Sequence, residues 1–462
     1  MIKNKLYQYG NQNGRVPAHL NFGKEVYDNM VANKDIIAMI NADTSEQMTY
    51  GEMAQSIADI ALSLSRMGIG KGDVVCICSE KNFEFLPTVL DPLAHRVKIV
   101  RPKVVFCSQT AFKQHKPVFD EVGSVEHYIL YGDQAQDGAI LFKDFLTETA
   151  ALEDFEPVPV NGWEDTAFIV YSSGTTGLPK GVPVTHIGFL LNAQNMTTQE
   201  VLQLAPMIIT ELIKSANLDR YDHSSVNYIV SSSTYIREDA VLAVKKRIPS
   251  LVSVLQLYGM SEGGSICNEL ACTKGYKAGS SGLPGLGFIM KVVDLETRQP
   301  LGPNLRGEIC IKGPSVMKAY LGNVQPDCKD EEGFLKTGDI GYYDEDGYFF
   351  VVNRIKELIK FNDISVAPAE FEDILLQHPA VREVGVVGKP HPVHGELPVA
   401  FIVLQSGATA SEAELVEHIN SRVTYKMRLA GGVRFIDRLP RGAGDKLDRI
   451  NLTQRLVDED AN

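Results

Sequence analysis

Cysteine is sparse in this chain: seven scattered residues, an odd number that indicates no disulfide framework. Cys76 and Cys78 alternate along the strand-like run "DVVCIC" and read as core thiols, not a metal pair. Long hydrophobic runs are lacking too. None approaches the roughly 20 apolar residues of a membrane span, so no integral membrane association is expected. The N-terminal "MIKNKLYQYGNQNG" has no apolar leader core, and the C-terminal "DEDAN" carries no lipidation or peroxisomal signal, so the expected location is cytoplasmic. Positive charge is in deficit. Lys and Arg number 45 against 58 Asp and Glu, a formal net charge of −13, which argues against nucleic acid held by bulk electrostatics. A nucleotide in a local pocket is still compatible with that balance. No internal repeat or low-complexity segment is visible.

What is present is a globular composition, 44% hydrophobic and 22% charged over 462 residues, enough chain for several domains. "TYGEMAQSIADIALSLSRMG" opens with Thr49 three residues before Glu52, a capping box; Met53, Ile57, Ala61 and Leu64 recur at helical spacing, and Gly68 stops the run. "GDVVCICS" reads as a buried strand, and "PKVVFC" and "AFIVYSS" as further short strands. Strands alternating with helical patterns predict an α/β core. In "YYDEDGYFFVV", Asp346-Gly347 between aromatic runs predicts a hairpin. Beyond it lies a smaller unit, with a helix at "PAEFEDILLQHP", strands at "VREVGVVG" and "LPVAFIVL", and a second capping box at Ser411 and Glu414. The expected division is residues 1–353 and residues 354–462.

The stretch "YSSGTTGLPKGVPVTH", residues 171–186, concentrates glycines and hydroxyl residues after a strand. It fits a surface turn, a linker or a phosphate-holding loop. Glycines let backbone N–H groups turn inward, hydroxyls add donors, and Lys180 supplies a point charge. Pro179 before Lys180 and Gly181 after it exclude a Walker A loop.

With its ordered hydroxyls, Gly174, Thr175-Thr176-Gly177, Pro179 and Lys180-Gly181, this stretch resembles the phosphate loop of the adenylate-forming (AMP-binding) superfamily. That superfamily includes acyl-CoA synthetases, 4-coumarate–CoA ligases, beetle luciferases and peptide-synthetase adenylation domains. Four more stretches agree in the family's order: "YGMSEGG" at 258–264, "GEICIKGPSVMKAYLG" at 307–322, "LKTGDIGYYDEDGYFFVVNRIKELIK" at 335–360 and "PRGAGDKLDRINL" at 440–452. "LIK" followed by "VAPAEFE" looks most like the acyl-CoA synthetase and 4-coumarate–CoA ligase branch. The resemblance implies a large N-terminal α/β AMP-binding domain with a smaller C-terminal α+β lid. It also implies two half-reactions: a carboxylate attacks ATP to give acyl-AMP and pyrophosphate, and the thiol of coenzyme A then displaces AMP.

Residue by residue, the resemblance assigns Ser172, Ser173, Gly174, Thr175, Thr176 and Lys180 to the triphosphate. Glu262 would hold Mg²⁺. Tyr258 and Gly259, with Ser233 and Thr234, would border adenine, although the family prefers smaller residues at the last two positions. Asp339 would accept from the ribose hydroxyls, Arg354 would add a ribose or phosphate contact, and Lys446 would reach the carboxylate and α-phosphate. Lys356 falls at the hinge about which the lid swings. His186 fits a structural, loop-closing position, and "HPVH" at 391–394 is an improbable metal site because Pro392 opposes a helix.

Three departures stand out. A block is missing between Lys180 and Tyr258, where "FLLNAQNMTTQEVLQLAPMIITELIKSANL" reads as nearly continuous helix broken only by Pro206. A shorter block is missing between Phe85 and Lys103; the first loss would remove core strands and a motif lining the acyl pocket, and the second a strand. Asp363 replaces a family glycine near the coenzyme A path. The expected partners are ATP, Mg²⁺, coenzyme A and a small carboxylic acid, with aromatic phenylpropenoate-like and fatty acids both open. The alternatives are an adenylating enzyme with a different second step, and a catalytically impaired isoform or paralogue that retains nucleotide or partner binding.

Overall fold

The computed structural model describes residues 6–11, 19–41, 44–79, 99–146, 149, 151, 155–172, 180–196, 201–204, 206–215, 217–232, 236, 238–269, 277–362, 364–423, 428–441 and 446–461. Among these, no helix is long and apolar enough to cross a membrane.

Local chemistry sets several elements directly. Thr49 and Glu52 form a reciprocal capping box on the helix Tyr50–Arg66, and Gly68 follows with positive φ. Ser411 and Glu414 do the same for the helix Glu412–Asn420. Strand Val75–Cys78 pairs in parallel with Val104–Cys107, which pairs with His127–Leu130, then Ile140–Leu141. The two inner strands are buried, as parallel strands covered on both faces must be. Val75–Cys78 is instead an edge, with Ile77 37% exposed, so the expectation of a wholly buried strand is corrected. Cys78 is buried and Cys76 half-buried, and burial, reinforced by Cys78, pushes the Cys76 thiol up to about 12.

A second sheet runs Val201–Leu204, Tyr228–Ser231, Ser253–Met260, Gly264–Asn268, Leu283–Pro284 in spatial order, its first three strands parallel. The strand Val201–Leu204 overturns the reading of nearly continuous helix. Helices His186–Met196 and Pro206–Lys214 flank it instead of joining end to end. A four-residue apolar run has no helical or strand periodicity of its own, and pairing with Tyr228–Ser231 decides its form.

A third sheet is antiparallel, in the order Gln8–Tyr9, Ile289–Val293, Gly307–Lys312, Leu335–Tyr343, Phe349–Arg354. Its last two strands form the expected hairpin, with Gly347 at φ +87° in the turn. Phe288, Met290, Ile309, Ile311 and Phe349 are fully buried between this sheet and the turn after Ser253–Met260. Residues beyond Ile355 build a fourth sheet around the hairpin Val381–His391 and Gly395–Leu404, packed by helices Pro368–Leu375 and Glu412–Asn420. Arg306 pairs with Glu370 at 2.6 Å and ties this region to the residues before it; within the region Arg449 pairs with Glu357 at 3.2 Å and Glu372 at 2.5 Å.

Candidate nucleotide site

Asp339 and Arg354 sit directly opposite one another on antiparallel neighbours, so their side chains share a face. Arg354 Nε lies 3.0 Å from Asp339 Oδ1, and the Tyr258 hydroxyl donates to Asp339 Oδ2 at 2.6 Å. Gly338, at φ +73°, gives its N–H to Glu308 and turns the chain so that Asp339 points inward. Asp339 is 3% exposed. Desolvation is the dominant influence and holds its pKa above the ordinary value, against the opposing pull of Arg354 and Tyr258.

Tyr258 and Gly259 close the strand Ser253–Met260 at a register shift. A Cβ on Gly259 would lie 2.6 Å from the Gly264 carbonyl oxygen, so the turn that carries Glu262 requires glycine there. Glu262 is buried, and among the described residues its carboxylate has one hydrogen-bond partner, the Tyr320 hydroxyl, 2.7 Å from Oε1. A buried carboxylate with an unengaged oxygen fits a divalent cation. No three His, Cys, Asp or Glu side chains gather as a metal site among the described residues. A cation at Glu262 would therefore take its remaining ligands from phosphate and water, as magnesium does at nucleotide sites.

Ser172 and Lys180 are register partners at the mouth of the hairpin Thr166–Ser172 and Lys180–Thr185. Between them run Ser173, Gly174, Thr175 and Thr176, which lie outside the described residues, as do Ser233, Thr234 and Asp363. Ser172 is buried, and among the described residues its Oγ has no hydrogen-bond partner at full geometry. Lys180 Nζ donates to Gln325 Oε1 at 2.5 Å and lies 5.1 Å from the Tyr320 ring centroid. Burial first, and then the Glu262 carboxylate, raise the pKa of Tyr320, which keeps its hydroxyl a donor.

Lys446 retains an exposed surface, but desolvation of its ammonium and then Arg354 lower its pKa, while Asp339, Glu357 and Glu262 act in the opposite sense. Lys446 thus stands in the field of Arg354, Asp339, Glu357 and Glu262. Burial first, and then the charge of Lys180, lower the pKa of Lys356. His186 lies apart from these contacts; its Nδ1 accepts from the Phe22 N–H at 3.2 Å and anchors the first turn of Phe22–Ala32. His391 and His394 stack at 4.8 Å in a turn, with His394 Nδ1 2.6 Å from Asn362 Oδ1.

Direct contacts join Tyr258, Asp339 and Arg354 in one group and bring Glu262 and Lys180 to Tyr320 in another, with Ser172 opposite Lys180; Lys446 feels the charges of Arg354, Asp339 and Glu262, and Lys356 that of Lys180. Sequence reading missed Tyr320, Gln325 and Glu357. Tyr320 lies inside a quoted motif, but nothing in its local pattern separates it from a core aromatic.

The profile of the AMP-binding enzyme family matches residues 89–203 and 199–321, and that of the AMP-binding enzyme C-terminal domain matches 370–446. Luciferin 4-monooxygenase of Nipponoluciola cruciata is 32% identical over 505 residues, covering 91% of this chain and 92% of that protein. 4-Coumarate–CoA ligase 3 of Arabidopsis thaliana is 28% identical over 523 residues, covering 96% and 92%. Among solved structures, the anthranilate CoA ligase AuaEII in complex with anthranoyl-AMP superposes with a TM-score of 0.85 at 21% identity, covering 97% of this chain and 99% of that one. ATP-bound MatB from Rhodopseudomonas palustris gives 0.82 at 23% identity, covering 95% and 100%. The chain belongs to the adenylate-forming, AMP-binding enzyme family and has that family's fold. The alignment to the luciferin 4-monooxygenase spans 505 positions against the 462 residues here, so some positions of that relative have no counterpart in this chain. The two family segments meet at 199–203, between Lys180 and Tyr258.

Proposed function

We propose that this chain is an ATP-dependent carboxylic acid–CoA ligase working through an acyl-adenylate, with residues 1–353 as the AMP-binding domain and 354–462 as the lid. The observation that carries the reading is the pair of contact groups Tyr258–Asp339–Arg354 and Glu262–Tyr320–Lys180, whose members are widely separated in sequence. The 4-coumarate–CoA ligase among its relatives supports the choice of second step.

In this reading Asp339, held by Tyr258 and Arg354, accepts from the ribose hydroxyls, and the ring of Tyr258 borders adenine beside Gly259. Ser172 Oγ and Lys180 Nζ meet the phosphates together with Ser173, Gly174, Thr175 and Thr176. Glu262 would hold Mg²⁺, which would supply positive charge against the phosphates. The acid's carboxylate oxygen forms a bond to the α-phosphorus as the bond to the pyrophosphate oxygen breaks. Lys446 neutralises charge on the carboxylate and α-phosphate in that step. Lys356, near Lys180, serves the hinge at which the lid turns, and Asp363 borders the coenzyme A path. In the second step the thiol sulfur attacks the acyl carbon, its proton is lost, and AMP departs as the leaving group.

Acid-dependent exchange of pyrophosphate into ATP tests the first half, and AMP release that requires coenzyme A tests the second. Acid-dependent exchange without any coenzyme A-dependent release of AMP would leave an adenylating enzyme with another second step, as the luciferin 4-monooxygenase relatives suggest. A second reading, a catalytically impaired isoform that retains nucleotide binding, draws on apolar side chains left exposed on edge strands. Ile77, Phe168, Val170 and Leu202 are each 37–40% exposed on strands at sheet edges. Nucleotide binding with no exchange for any acid would establish that alternative.

A further inference from the structure

We propose that Tyr320 is a positioning residue that orients the cation-holding carboxylate of Glu262 and the phosphate lysine Lys180 with one side chain. The inference rests on the nucleotide chemistry proposed above and adds a residue to it.

The argument begins with how firmly Tyr320 is placed. The segment before it is tied to the turn that carries Glu262: Met317 N–H donates to the Glu262 carbonyl at 2.8 Å, and Ser315 Oγ donates to the Gly263 carbonyl at 2.9 Å. The residue after it, Leu321, packs against Gly181 so closely that a Cβ there would come within 2.9 Å of the Leu321 side chain. Tyr320 is thus pinned between the turn of Glu262 and the strand of Lys180.

From that position it acts at both ends. Its hydroxyl, 2.7 Å from Glu262 Oε1, leaves Oε2 without a partner among the described residues. A buried carboxylate with one oxygen tethered and the other open presents a fixed direction to a cation. Its ring lies 5.1 Å from Lys180 Nζ, within cation–π range, and Gln325 Oε1 holds the same ammonium at 2.5 Å. Ser172, the register partner of Lys180 on the adjoining strand, also bears on the Tyr320 hydroxyl, so both strands at the mouth of the phosphate hairpin meet this side chain. A core tyrosine without this role would need neither the open Oε2 nor the lysine over its face.

Tyr320→Phe keeps the ring and removes the tether. Two measurements decide the case: Mg²⁺-dependent ATP binding by calorimetry, and the Mg²⁺ concentration for half-maximal acid-dependent pyrophosphate exchange. About a tenfold higher Mg²⁺ requirement is expected in both, equivalent to ~1.4 kcal/mol. KM for the acid and the melting temperature should stay at the parent values. Tyr320→Leu, which also removes the ring, should further weaken ATP binding at saturating Mg²⁺. A parental Mg²⁺ dependence in Tyr320→Phe overturns the proposal, whether or not the melting temperature falls. A parent protein that binds ATP with Mg²⁺ but does not exchange pyrophosphate would defeat the ligase reading alone, and the binding measurement would still decide Tyr320. A parent that binds no nucleotide overturns both.

Discussion

Replacing Tyr258 with Phe removes a single oxygen, and the structure sets what that oxygen does. The hydroxyl donates at 2.6 Å to Asp339 Oδ2, and the carboxylate is 3% exposed, so water cannot take the donor's place. A hydrogen bond to a charged acceptor contributes about 1.5–3 kcal/mol, and one between neutral groups about 0.5–1.5 kcal/mol. Burial already holds the pKa of Asp339 above its ordinary 3.8, so the native state binds this proton more tightly than the unfolded chain. The contribution of Asp339 to stability therefore falls as pH rises from the ordinary value through the raised native one. Without the hydroxyl the native pKa rises further. The variant should then lose about 1.5–3 kcal/mol at neutral pH and less in acid, where the carboxyl is neutral. Urea unfolding at both pH values measures this. The same substitution in an Asp339→Asn background should have a smaller effect, because the charged acceptor is gone. Equal losses at both pH values, or full additivity of the two substitutions, would refute the reasoning.

Lys446→Ala should slow adenylate formation by a factor equivalent to about 2.7–4 kcal/mol, by analogy with loss of an oxyanion donor, while leaving ATP binding and thioester formation from supplied acyl-AMP nearly intact. Parental exchange rates would remove Lys446 from the chemistry. Asp363→Gly should speed consumption of acyl-AMP by coenzyme A relative to adenylation, and single-turnover rates equal to the parent's would show that the aspartate is accommodated. Inserting the blocks expected from the family pattern between Phe85 and Lys103 and between Lys180 and Tyr258 should raise the melting temperature by covering some of the exposed Ile77, Phe168, Val170 and Leu202. Losing a single large core side chain costs roughly 2–5 kcal/mol, against a total stability of commonly about 5–15 kcal/mol. Equal melting temperatures, with normal ligase turnover by the shorter chain, would show that neighbouring residues had closed the gap.

Much of this protein was decided by residues acting on their near neighbours. The capping boxes at Thr49 and Ser411 and the Asp346-Gly347 turn depend on bonds or dihedral preferences spanning a few positions, so they are legible in the sequence. The family motifs were legible for the same reason. The strand Val201–Leu204 was not, because an apolar run so short takes its form from the strand beside it. Nor was Tyr320 legible, whose partners Glu262 and Lys180 lie far away in the chain, nor the tether between Tyr258 and Asp339. A side chain's partner across the molecule depends on which strands pair, in what register, and which glycines let backbones close. Tertiary packing alone turned separate motifs into a carboxylate with one oxygen held and the other open.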